Sequence, residues 1–266
     1  MTLWAGIGIV LATLVIGSAL YVLLARLSPH GGREHRTPTS VYAVTAGAMS
    51  LLIAFTMSLT FQQYLQAQQA AASEAEAVMS MSRAATFMPP AVRDPLRDQL
   101  VCYAQEVITK SWPAMRDGDA QLQPSIRRTL ATMDSILAEH YAQSSAGLGL
   151  WEGANEQRLA AHMEMLMIAD DGVPPILWLL LIVGSMITIG SLVVYADRAK
   201  PAWGHVLVVI GPLFIASAAL VVIAFFDHPY AKTPGAVTPA AMELTLARLT
   251  HERIGDAPLP HCPAKV

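Results

Sequence analysis

The chain has 266 residues, of which 54% are hydrophobic and only 14% charged, with a net charge of −3 and a mean hydropathy of +0.44. That is too apolar for an ordinary soluble domain, and the charge has the wrong sign for nucleic-acid binding. Two cysteines, Cys102 and Cys262, exclude a disulfide scaffold, and without a CxxC pair a zinc or thioredoxin-like centre is excluded as well.

Four apolar stretches, 3–25, 40–61, 176–195 and 204–226, are long enough to cross about 30 Å of hydrocarbon as helices of roughly 20 residues. None carries Asp, Glu, Lys or Arg in its interior. Backbone groups in hydrocarbon must be satisfied within the segment, so the expectation is four transmembrane helices. The first lacks a positive n-region and a small-x-small cleavage site, and reads as a retained helix rather than a signal peptide.

The first short connection carries Arg26, Arg33 and Arg36 against Glu34. The last carries Arg198 and Lys200 against Asp197. Basic residues in short loops stay inside, which puts both loops in the cytoplasm. Both termini and the segment 62–175 are then expected outside it, with the chain a multi-pass protein of a bacterial inner membrane.

The second span has no breaker at its outer end. It continues through QQYLQAQQAAASEAEAVMSMSRAATF, rich in Ala, Gln and Glu, until Pro89 and Pro90. One helix of about 48 residues would be roughly 70 Å long. Further helices are expected in 62–175. One is capped by Asp94 with Pro95 at its first position and is kinked or ended by Pro113. Next come an Asp117-Gly118-Asp119 turn and a helix over 125–143 with Ile126, Leu130, Met133 and Leu137 on one side. The last, over 152–169, carries a stripe of Leu159, Met163, Leu166 and Met167. The fold class is all-α: a transmembrane hairpin (1–61), a helical domain (62–175), a second hairpin (176–226) and a tail (227–266). In the tail, Thr238 and Pro239 start a short amphipathic helix bearing Met242, Leu246 and Leu249.

Cys102 and Cys262 fall on the same expected side of the membrane, where disulfides persist. They read either as a bridge tying tail to domain, nominally worth up to about 5 kcal/mol, or as two unrelated thiols. His251, His261 and Cys262 share the tail, but no metal spacing fixes a geometry there. No catalytic motif stands in a credible context, so no enzyme, cofactor or metal is expected. Gly184 with Thr188, and Ala43 with Gly47, are small-xxx-small pairs suited to close helix packing. Thr56, Thr60 and Gln63 share one face of the second span. They read as a pore-lining stripe, or as interhelical hydrogen bonding worth about 0.6 kcal/mol each.

The stretch FDHPYAKTPGAVTPAAMELTLARL ends a membrane helix with Asp-x-Pro-aromatic, followed by a Pro-containing linker and an amphipathic helix. Together with LLIAFTMSLTFQQYLQAQQAAASEAEAV, where a span runs into an extension bearing Glu74-Ala75-Glu76, it resembles the bestrophin-like domain family. Bestrophins proper are oligomeric anion channels whose second membrane helix lines the pore. The resemblance therefore implies Thr56, Thr60 and Gln63 as lining residues, and Asp227 and Pro229 as caps of the fourth helix. The sequence departs from the family pattern at His228, lacks an acidic calcium clasp, and puts its termini on the opposite side. Two functions follow as expectations: a homo-oligomeric anion channel in the lipid bilayer, or a non-conducting scaffold whose outer domain binds a membrane-protein partner.

Overall fold

The computed structural model describes residues 39–119, 121, 123–170, 172–195, 202–233, 235–251 and 262, together with 7, 8, 10–13, 15, 17 and 19 near the N-terminus. The described residues are helical with no strand. The helices are α1 (Thr39–Ala85), α2 (Pro90–Glu106), α3 (Trp112–Arg116), α4 (Pro124–Glu139), α5 (Tyr141–Asp170), α6 (Pro175–Tyr195), α7 (Ala202–Phe226) and α8 (Ala240–His251). The described residues of 3–25 are helical too, while the loops bearing Arg26, Arg33, Arg36, Arg198 and Lys200 lie outside the described residues.

The chain divides into two compact units. One holds the described residues up to Gln63 and those from Val173 to His228. The other holds Tyr64–Gly172 and most of the tail.

In the first unit, Met49, Leu52 and Ile53 of α1 pack with Trp178 and Leu181 of α6 and Leu220 and Ile223 of α7. Gly184 allows this approach, because a Cβ there would lie 2.7 Å from the Met49 sulfur. Ala43 and Gly47, by contrast, are exposed.

The second unit is built on the C-terminal part of α1, the 47-residue helix that the sequence led us to expect. Its core joins Ala71, Val78 and Met81 of α1 to Leu96 and Leu100 of α2, Ile126 and Met133 of α4, Trp151 and Met165 of α5, and Met242 and Leu249 of α8. Cys102 of α2 is disulfide-bonded to Cys262, so the bridge reading holds and those sulfurs are not available to a metal.

Several local expectations are corrected. Helix α2 begins at Pro90, not at Asp94, because Pro90 takes the first-turn position that lacks a hydrogen-bond partner anyway. Pro95 then lies inside the helix. Pro113 stands in the first turn of α3. The turn before it, Val107–Ser111, widens to a π-helix, and α3 continues to Arg116. The Asp117 turn is present, with Gly118 at φ +83°.

Helix α5 starts at Tyr141, eleven residues before its expected start at 152. Gly147 is a packing residue there, while Gly149 has open space around it. A Cβ at Gly147 would lie 2.7 Å from the Ala84 carbonyl oxygen and 3.0 Å from the Met88 side chain. The stripe assigned to α5 is also displaced: Leu166 is buried, but Leu159, Met163 and Met167 are exposed. The inward face is Trp151, Ala154, Arg158, Ala161, His162, Met165 and Leu166.

Candidate functional site

Thr56 and Thr60 are buried within the first unit. Their hydroxyls donate to backbone one turn back, Thr56 to the Leu52 carbonyl at 2.9 Å and Thr60 to the Thr56 and Met57 carbonyls at 3.1 Å. They continue the face that carries Met49, Leu52 and Ile53, so the protomer itself covers them. Gln63 is half-buried. The uncovered face of α1 carries Leu51, Phe55, Ser58 and Gln62, with Leu51 73% and Phe55 63% exposed. Side-chain spacing of three to four residues puts these four on one helical stripe.

Asp227 follows the last residue of α7 and extends that helix by donating its N–H to the Ile223 carbonyl at 2.9 Å. Its carboxylate serves a different helix. Oδ1 accepts the Val173 N–H, and Oδ2 accepts from the Trp178 indole at 3.3 Å. A negative charge at the entry to α6 suits the positive dipole end of that helix. The His228 imidazole pairs with the same carboxylate at 3.3 Å. Burial works against the charge of Asp227. The hydrogen bonds from His228, Val173 and Trp178 outweigh it and hold the carboxyl below the usual carboxylate range. The bond to Asp227 raises His228 in turn. The resemblance implied a cap of α7; the Asp227 N–H continues that helix, while its carboxylate ties Val173, just before α6, and the Trp178 indole. Pro229 is buried in the second unit, where its carbonyl accepts the Val237 N–H at 2.9 Å.

A second constellation lies in the core of the second unit. Glu74, Tyr103, Arg158 and His162 are all buried. Glu74 Oε1 accepts from the Tyr103 hydroxyl at 2.5 Å and from His162 Nδ1 at 2.7 Å. Arg158 donates to the Tyr103 oxygen at 3.0 Å and to Asn155 at 2.9 Å, and its guanidinium lies 5.0 Å from the Tyr103 ring centroid. Tyr103 thus relays between a carboxylate and a guanidinium. Burial, then the Glu74 charge, pushes its phenol well up, so it stays protonated. A buried charge is tolerable only when paired and hydrogen-bonded, and this network supplies both conditions.

Spacing carried a signal for this network: Arg158 and His162 stand four apart on α5. It was hidden by the more apolar stripe beside them. Glu74 was noted only as half of an acidic pair. Among the described residues no group of three or more His, Cys, Asp or Glu could hold a metal.

Similar ties hold the tail. Tyr64 donates to the Gly235 carbonyl at 2.7 Å, and Thr245 of α8 reaches the Ala75 carbonyl at 3.4 Å. Trp112 meets Tyr230 edge-on with ring centroids 5.5 Å apart.

Residues 11–235 match the bestrophin-like domain family. Comparison with curated protein sequences gives no match. Among solved structures, a single-site variant of a bacterial bestrophin homologue from Klebsiella pneumoniae is 15% identical, with a TM-score of 0.73 over 94% of this chain and 98% of that one. Another structure of a bacterial bestrophin homologue from Klebsiella pneumoniae, phased on zinc, is 14% identical, with a TM-score of 0.70 over 92% and 98%. At these identities the likeness is one of fold.

Proposed function

We propose that this chain, which belongs to the bestrophin-like domain family, is the subunit of a homo-oligomeric channel for small anions in a bacterial inner membrane. The observation that carries the reading is the uncovered stripe on α1. Within a helix apolar enough to cross a membrane, Leu51, Phe55, Ser58 and Gln62 face away from the protomer's own helices. A ring of copies would turn that stripe toward a common axis. It would surround the axis with an apolar constriction followed by hydroxyl and amide groups, a layout suited to ion passage without fixed charge. The implied lining set of Thr56, Thr60 and Gln63 reaches such an axis only if α1 turns about its own length. The two sets therefore make different predictions for the same helix.

The proposed topology has four transmembrane helices, with Tyr64–Gly172 and both termini outside the cytoplasm. The placement of basic residues supports it. The Cys102–Cys262 disulfide supports it independently, because such bonds persist in oxidising compartments and not in a reducing cytosol. Bestrophins proper would then be oriented the other way.

The test is purification in detergent, determination of particle mass and symmetry, and anion flux from reconstituted vesicles. A cyclic particle that passes chloride, with flux altered by Phe55→Ala and Ser58→Ala but not by Thr56→Ser, is the expected result. A monomer, or a ring that passes no ion, would remove the channel reading.

A non-conducting scaffold is the second reading. The exposed apolar residues Leu159, Met163 and Met167 on the outer unit favour it, since such a stripe marks an interaction surface.

A further inference from the structure

The exposed stripe on α5 has a counterpart elsewhere on the same unit. A groove of about 360 Å³ runs between the outer part of α1 and α8. Its buried lining is Ala75, Met79 and Thr245, with exposed Ala72 and Leu244 beside them, and the exposed charges along it are Arg83, Arg248 and Glu76. Leu244 is 56% exposed.

The α5 stripe is the opposite in shape and charge. Leu159, Met163 and Met167 form a ridge on successive turns, about 12 Å long. Around it stand Glu152, Glu156 and Glu164, all exposed. The lone arginine of α5, Arg158, points inward and is 2% exposed. The ridge is therefore apolar with a purely acidic rim. The groove, along α1 from Ala72 to Arg83, is roughly 16 Å long and has a net basic rim.

We infer that these are the two halves of one interface: the α5 ridge of each copy seats in the α1–α8 groove of the next. The occupant of the groove is a second copy of this chain. Complementarity of charge fixes the pairing, since a ridge rimmed by carboxylates opposes another such ridge but suits lips bearing arginines. Two different patches on one subunit make a heterologous contact, which repeats around a ring until it closes. The inference rests on the homo-oligomeric reading above and names the surfaces that build it.

The experiment is cross-linking of the full chain in detergent. The native cysteines are joined to each other, so a bismaleimide under non-reducing conditions reacts only with introduced thiols. Met163→Cys combined with Leu244→Cys should give a ladder of dimer, trimer and larger species. Each single variant should give none. Arg248→Glu should weaken assembly about fivefold, as expected for losing one rim ion pair, and adding Glu164→Arg should restore it, with circular dichroism unchanged throughout.

Dimers from Met163→Cys alone would mean that the ridge meets its own copy, and would overturn the inference. A cyclic particle with no cross-link in the double variant would also overturn it while leaving the channel intact. A monomeric particle would sink both. Cross-linking of Leu244→Cys to a different polypeptide would transfer the groove to a partner protein.

Discussion

Glu74 and His162 are 88 residues apart in the chain, yet the carboxylate and the imidazole meet at 2.7 Å with both side chains buried. They join the C-terminal part of α1 to α5. Tyr103 brings α2 to the same carboxylate oxygen. Removing one member leaves the others buried and uncompensated. Glu74→Ala should cost about 3–5 kcal/mol, and Tyr103→Phe, which deletes one hydroxyl, about 1–3 kcal/mol. Thermal unfolding followed by circular dichroism measures both. A Glu74→Ala protein that melts with the parent would show that the network adds nothing to stability.

Gly147 and Gly149 are two residues apart on α5 and should respond in opposite directions. Alanine at 147 must force α5 away from the Ala84 carbonyl and Met88, at about 1–3 kcal/mol. Alanine at 149 meets nothing within 4 Å and replaces a poor helix former, which should stabilise by up to about 1 kcal/mol. Paired melting curves decide it. Equal effects at both sites would mean that the helices are not in close contact at 147.

The Asp227–His228 pair predicts a two-sided pH profile. His228 is raised in the folded protein, so its contribution is complete below the ordinary histidine range and fades as pH rises through the raised value. Asp227 is lowered, so its contribution is complete above the ordinary carboxylate range and fades as pH falls through the lowered value. Both operate together in the mildly acidic window between. His228 is largely exposed, so its arm should be shallow. Melting temperature against pH should lose the acid arm in Asp227→Asn, and Trp178 fluorescence should report the same transition. An unchanged acid arm in the variant would assign it to other carboxylates.

The disulfide and the proposed topology are tested by one labelling experiment. On intact cells, a membrane-impermeant maleimide should leave Cys102 and Cys262 unlabelled before reduction and label them after mild reduction and unfolding of the outer unit. Cys262→Ser should destabilise by about 2–5 kcal/mol. Labelling that requires permeabilised cells would put the outer unit in the cytosol.

The long elements were legible in the sequence. The uninterrupted α1, the apolar α6 and α7, and the face of α4 bearing Ile126, Met133 and Leu137 all follow from periodicity and from the absence of breakers. What was missed involves partners distant in the chain. Arg158 and His162 were assigned no face, because nothing local tells a reader that Glu74 and Tyr103 wait opposite them. Once they turn inward, Leu159, Met163 and Met167 must turn outward, so one hidden fact moved the whole helix face. The start of α5 was missed for a similar reason: what Gly147 is fitted to, the Ala84 carbonyl, is distant in the chain. For Thr56 and Thr60 both readings were open, and their burial follows from the side of α1 on which Leu181 and Ile223 pack.

The Cys102–Cys262 bond makes a closed circuit of the intervening chain, which includes α3 to α8. A protease that nicks any loop within that circuit produces two fragments but not two molecules. They stay linked through the sulfurs until a reductant parts them, and on a non-reducing gel the nicked protein keeps its full mass. Damage to an exposed loop is thus separated from loss of the tail, and a cut copy keeps its last helix attached.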